Sequence, residues 1–332
     1  MRVLVTGGAG LLGTELSLQL QQQGHKPIAI DNLSRFILLG ESGPRQHEEN
    51  LAALRAARVT FLGHDFRVLG PDLHDVNAVV HSAAQVCHSR KDIKDDPLED
   101  LDVNVVGTVR LLRLCKLADV PMLFISSSKV YGQNFDVVRA RHEDVALMGI
   151  DERCPLGDQT HLTFFGASKA AADLFCQMYG RKYGEPGLGR FRAGVFRPGC
   201  FTGRWALPTE VQNWLPWLVH CARRGEPFHL YGDGEQVRDL LHVRDLAGAC
   251  IRWLEHPTNG VWNLGGGPRR APTLNQAIDR VQAELGKRIQ VEARSPRPGD
   301  IRYLVLDSSR FMHDYGWEPE KSHDDIYREA CG

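Results

Sequence analysis

A glycine-rich turn between an apolar strand and an amphipathic helix constrains this chain more than any other feature. Residues Arg2–Thr6 read as a short buried strand, and Gly7-Gly8-Ala9-Gly10-Leu11-Leu12-Gly13 follows at once. An amphipathic helix through Leu16, Leu18 and Leu20 ends near Gly24, and a second strand, Pro27–Ile30, leads to Asp31. This is a β-α-β unit with Gly8-x-Gly10-x-x-Gly13 at its turn. Glycine lets the backbone turn tightly and approach a pyrophosphate, and the helix start offers free N–H groups and a favourable dipole. An acid ending the second strand accepts both ribose hydroxyls and repels a 2′-phosphate, so Asp31 favours NAD over NADP. Arg35 nearby weakens that preference. The turn thus nominates Gly7, Gly10, Leu11, Leu12 and Gly13 as cofactor contacts, and the strand end nominates Asp31, Asn32, Ser34 and Arg35.

Strands near 2–6, 27–31, 59–63, 78–81, 121–126 and 191–197 alternate with helical stretches, which predicts an α/β, Rossmann-like, doubly wound parallel sheet. Two more strand ends point at the same ligand. Asp65 and Phe66, after the strand ending at Leu62, are placed to meet the adenine. Ala83, Ala84 and Gln85, after the strand ending at His81, allow close backbone approach, and Asn104 completes the set. The expected division is a NAD-binding domain over 1–197, with 236–264 returning to it. A smaller α/β substrate domain spans 198–235 and 265–332. Trp205, Trp214 and Trp217 crowd the start of that second unit, as a stacking wall for a nucleotide base or as a clamp between domains.

Composition removes several classes. With a formal net charge of −1, the chain carries no field suited to nucleic acid or an anionic membrane. No run approaches the roughly 18–20 apolar residues of a membrane span. A strand beginning at residue 2 leaves no room for a signal peptide. The 8 cysteines stand singly, without a Cys-x-x-Cys pair, so neither a metal site nor a disulfide framework is expected. A reduced, cytoplasmic setting follows.

The motifs together are similar to those of the extended short-chain dehydrogenase/reductases that act on nucleotide sugars. The likeness covers nearly the whole length. It rests on the glycine turn, His81-x-Ala83-Ala84-Gln85, Ser126-Ser127-Ser128-Lys129-Val130-Tyr131-Gly132, Phe165-x-x-x-Lys169, Gln236-Val237-Arg238-Asp239 and Asn263-Leu264-Gly265-Gly266-Gly267. Within that group, Asp31-Asn32-Leu33-Ser34-Arg35, the Ser-Lys-Val-Tyr-Gly run and Gly299-Asp300-Ile301-Arg302 most resemble CDP-tyvelose (CDP-paratose) 2-epimerases. The resemblance implies NAD as cofactor, a nucleotide-diphospho sugar as substrate with a CDP-sugar favoured over UDP or GDP, and a homodimer. It implies that Ser127 bonds the reacting hydroxyl with Ser128 beside it, and that Lys169 holds the nicotinamide ribose. Arg238 and Arg302 would grip the pyrophosphate, and the long connection 132–160 would fold over the sugar.

Phe165 stands where that family carries its tyrosine base. Hydride transfer from an alcohol needs a proton acceptor, whose contribution is typically about 10²–10⁴ in rate. Two readings stay open: a substitution that traps bound substrate, or a natural branch with another base, drawn from Cys200, Tyr131, Cys87 or His88. The leading expectation is an epimerase that transiently oxidises C2 or C4 of the sugar. A 4,6-dehydratase would want an Asp-Glu pair where Ser128 and Lys129 stand. A decarboxylase, or a module that binds NAD and a ligand without turnover, are the remaining alternatives.

Overall fold

A computed structural model describes residues 1–34, 43–70, 73, 75–86, 97–134, 136, 149–157, 163–184, 189–210, 212–297 and 300–332. Arg35, Cys87, His88, Gly299 and most of 137–162 lie outside the described residues. Seven strands form one parallel sheet: β1 (Arg2–Thr6), β2 (Lys26–Ile30), β3 (Thr60–Leu62), β4 (Ala78–His81), β5 (Met122–Ile125), β6 (Ala193–Pro198) and β7 (Gly260–Leu264). Their spatial order is β7-β6-β5-β4-β1-β2-β3, and β1 pairs with both β2 and β4. The chain therefore runs outward to β3 and restarts on the other side of β1. That reversal opens a crevice at the carboxyl ends of β1 and β4, where such sheets bind ligands.

The strands are apolar on both faces because helices cover both. Val3 and Val5 join Leu16, Leu246, Ile251, Trp253 and Phe311 in one buried cluster. Leu4, Ile28, Val79 and Phe124 join Leu111, Cys115 and Cys176 in another. The first cluster draws on α1 (Leu11–Gln22) and a helix Val243–Glu255. The second draws on a helix Thr108–Ala118 and the long helix Phe164–Gly184 that carries Lys169. Thr108–Ala118 continues from a π-helical stretch, Leu101–Gly107. Gly107 is needed there, since a Cβ would come within 2.8 Å of the Phe66 ring.

The predicted strands and helices are present with shifts of a residue or two at their ends. In the second layer a strand Val291–Arg294 pairs in parallel with Phe228–Tyr231. That pair packs with helices Trp214–Arg224, Leu274–Leu285 and His323–Cys331 around Leu218, Phe228, Val281 and Ile326. Two short pairs, Cys200–Thr202 with Leu240–His242 and Val237–Arg238 with Tyr303–Leu304, tie this layer to the sheet edge.

Candidate active site

A cavity of about 660 Å³ runs from the glycine turn, past the ends of β1, β4 and β5, to the second helical layer. At its first end the turn is built without side chains for a steric reason. A Cβ at Gly13 would overlap the Gly7 carbonyl, and one at Gly8 would come within 2.6 Å of Ala29 Cβ. Gly7 itself has φ of +68°, a conformation that glycine adopts without strain. The Asp31 carboxylate is fixed at the end of β2, accepting N–H bonds from Ala9 at 3.0 Å and Leu33 at 2.8 Å. Asn32 Nδ2 donates to Asp65 at 2.8 Å, and Arg67 donates to the same carboxylate through its backbone and guanidinium. Those bonds hold the Asp65 carboxyl below its ordinary range. Gly7, Gly10, Leu11, Leu12, Gly13, Asp31, Asn32, Ser34, Asp65, Phe66, Ala83, Ala84 and Gln85 all line the cavity. Asn104 is not among its described lining residues. It is buried on the π-helical stretch, bonded to both backbone groups of Gln85 and to Ser168 Oγ at 2.9 Å, so it sets the wall from behind.

Ser126, Ser127, Phe165, Lys169 and Cys200 line the middle. Ser127 caps a short 3₁₀ turn, Ser128–Tyr131, and its Oγ accepts the Lys129 N–H at 3.1 Å. That bond leaves the Ser127 hydroxyl hydrogen available to donate. Ser128 is buried and not among the described lining residues. Phe165 and Lys169 stand one turn apart on the helix Phe164–Gly184, a spacing that puts both on one face. Lys169 is 2% exposed. Its Nζ donates to the Ile125 carbonyl at 2.6 Å and sits 4.1 Å from the Phe124 ring centroid. Burial lowers its pKa to about 7.

The two described candidates for a replacement base are placed unfavourably for that role. Burial pushes the Cys200 thiol up, which Arg238 only partly offsets. The Tyr131 hydroxyl is enclosed, donating to Asn263 Oδ1 at 2.7 Å and receiving Arg197 at 2.9 Å, and burial raises it to about 12. That hydroxyl is thus bonded to side chains on two other elements, Asn263 and Arg197.

Sequence reasoning missed Asp173. It lies four residues beyond Lys169, accepts Ser126 Oγ at 2.8 Å, and receives Arg197 at 2.8 and 3.0 Å. The helical spacing from Lys169 was the available signal. The two arginines expected to grip a pyrophosphate, Arg238 and Arg302, differ in their surroundings. Arg238 is nearly buried and pairs with Asp300 at 2.7 Å, whereas Arg302 is 52% exposed and pairs with Asp233 at 2.8 Å. Neither is among the described residues lining the cavity. Arg297, in the Arg-Pro-Gly-Asp run just before the quoted segment, stacks 3.8 Å from the Tyr231 ring centroid and donates to the carbonyl of Glu210, which does line it.

Residues 3–265 match the NAD dependent epimerase/dehydratase family. Among individual proteins, CDP-paratose 2-epimerase of Salmonella typhi is 26% identical over 347 residues, covering 98% of this chain and 96% of its own. UDP-glucose 4-epimerase of Mycolicibacterium smegmatis is 27% identical, with 96% and 94% covered. Among solved structures, UDP-glucuronic acid 4-epimerase of Bacillus cereus, in complex with UDP-glucuronic acid and NAD, superposes with a TM-score of 0.83 at 22% identity, covering 100% of this chain and 98% of its own. Among the described residues, no helix is long and apolar enough to cross a membrane.

Proposed function

The chain belongs to the NAD dependent epimerase/dehydratase family, and from that premise we propose that it epimerises a nucleotide-diphospho sugar, with NAD as resident cofactor. One observation carries the reading: the glycine cradle with Asp31 and the Ser127–Lys169 pair open into the same cavity. The residues present fit the cofactor. The glycines let the turn close tightly against Ala83, Ala29 and the Gly7 carbonyl, and with both side chains lining the cavity, Asp31 would accept from the adenosine ribose and Lys169 would donate to the second ribose. NAD supplies a two-electron acceptor for one ring carbon. The chain's own groups do the rest. Ser127 Oγ donates to the reacting oxygen, the apolar Phe165 ring covers the sugar face, and the buried Asp173–Arg197 pair holds Ser126 beside Ser127.

Arg238 is the pyrophosphate anchor we favour. Arg297 joins it in place of Arg302, because Arg297 donates to the carbonyl of Glu210, which lines the cavity, while Arg302 is paired with surface Asp233. The cytidine, uridine or guanosine base would sit in the second helical layer, and the relatives above act on CDP- and UDP-sugars; a CDP-sugar remains our first substrate to try. Within the same reading, 1–197 with 236–264 binds NAD, and 198–235 with 265–332 binds the sugar nucleotide. Two copies associate through the exposed apolar side chains of Phe164, Leu174, Phe175 and Met178 on one helix and Leu98 and Leu101 beside it. Calorimetric titration tests the cofactor half: NAD binds more tightly than NADP, and Asp31→Ala narrows the gap. Equal affinities in the unmodified chain would refute it.

A further inference from the structure

Position 165 has no proton to exchange, so some other group must do so if the proposed reaction runs, and the inference below rests on that reading. Several titratable or hydroxyl groups besides Lys169 line the cavity among the described residues, His47 included. Asp31 and Asp65 stand at the glycine end and are already bonded to backbone and side-chain donors. Ser126 donates to Asp173. Cys200 is held protonated by burial. Glu210 accepts from Tyr231 and contacts His229, in the second layer. Glu99, on the turn Leu98–Asp100, also lines the cavity and is a rival carboxylate among the described residues.

Lys169 is different. Its amine is buried on the cavity wall one helical turn from Phe165, touching a carbonyl and a ring face and, among the described residues, no carboxylate. The nearest acid on its own helix, Asp173, is committed to Arg197 and Ser126. Cys176 on that helix, and His81 from β4, are themselves kept neutral by burial. Lys129 is grouped electrostatically with Arg238, Cys200, Asp300 and Arg297, and Glu99 and Asp100 stand on the turn Leu98–Asp100. An ammonium desolvated without a paired anion readily gives up its proton.

We propose that Lys169, as a neutral amine, is the proton acceptor of this site. In the forward step the sugar O–H bond breaks and an N–H bond forms at Nζ. The oxygen's freed pair becomes the second bond of the ketone, and the ring hydrogen leaves with its bonding pair to the dinucleotide. Reversal on the other face returns both. A neutral amine keeps two N–H donors, one for the Ile125 carbonyl and one for a ribose hydroxyl, and leaves a lone pair to accept the substrate proton. The role that elsewhere needs two side chains is then carried by one.

The test begins without cofactor or turnover. In protein labelled with ε-¹³C-lysine, the resonance lost in Lys169→Arg, or in Lys169→Gln if the arginine variant does not fold, is followed from pH 5 to 11. A midpoint near 7, against about 10.4 for ordinary lysines, is expected; a midpoint near 10 overturns the proposal. With NAD and the active sugar nucleotide, the acid limb of kcat/KM should also fall near 7. Lys169→Arg, which keeps charge and donors, should lose at least about 10²-fold in kcat while still binding NAD. A limb near 4–5 that Glu99→Gln abolishes would assign the base to Glu99 instead. If NAD does not bind the unmodified chain, the proposed function fails, and the titration still decides whether Lys169 is the poised amine.

Discussion

At the residue scale, the proposed chemistry turns on a phenylalanine and the lysine one helical turn away. The lysine was legible from spacing, and so was the missing hydroxyl. Its protonation was not, because burial depends on Phe124, Ile125 and Phe165 converging from two elements distant in sequence. That burial has a measurable consequence for stability. Lys169 titrates near 7 when folded and near 10.5 when unfolded, so between these values the unfolded state binds more protons and stability rises with pH. Below about 7 both states are charged and the folded one carries the full desolvation cost. Lys169→Met should therefore raise the melting temperature at pH 6, with the gain shrinking towards pH 10. A gain that does not vary with pH would show the ammonium to be solvated. The arginines make a second residue-scale test. Arg238→Ala and Arg297→Ala should each weaken nucleotide-sugar binding by about 2–5 kcal/mol, and Arg302→Ala by less than about 1. Calorimetry on the NAD-loaded protein separates them, and a large loss from Arg302→Ala alone would restore the pairing suggested by sequence.

At the scale of elements, the glycine turn, the sheet strands and the helix carrying Lys169 followed from pattern, since each repeats a local rule. The π-helical stretch Leu101–Gly107 did not. Its register is set by Asn104 reaching Gln85 and Ser168, and by the Phe66 ring against Gly107. Nor was the clamp between the long helix and β6 readable, because Asp173 and Arg197 look like ordinary charges until folding buries both. Asp173→Ala strands that guanidinium and should cost about 3–5 kcal/mol by chemical denaturation. Asp173→Leu with Arg197→Met should recover most of it. A loss below about 1 kcal/mol in the single variant would mean that the clamp contributes little to holding Ser126.

At the scale of the whole molecule, the sheet reversal beside β1 places the cofactor cradle and the Ser127–Lys169 pair in one crevice, with the second layer closing its far end. The wrap of 198–332 around that crevice was only partly legible, since short strand pairs such as Val237–Arg238 with Tyr303–Leu304 carry almost no periodicity. The apolar side chains left exposed on Phe164–Gly184 belong to this scale too. Phe175→Glu should convert a dimer to a monomer in sedimentation equilibrium, and a monomeric unmodified chain would remove that interface. The most direct test of the account is product analysis. The NAD-loaded protein is incubated with CDP-, UDP- and GDP-sugars, and each sugar is followed by proton NMR. The account predicts inversion at a single ring carbon of one sugar nucleotide, with no net accumulation of NADH. Elimination or decarboxylation, or no change in any sugar while NAD stays bound, would contradict it.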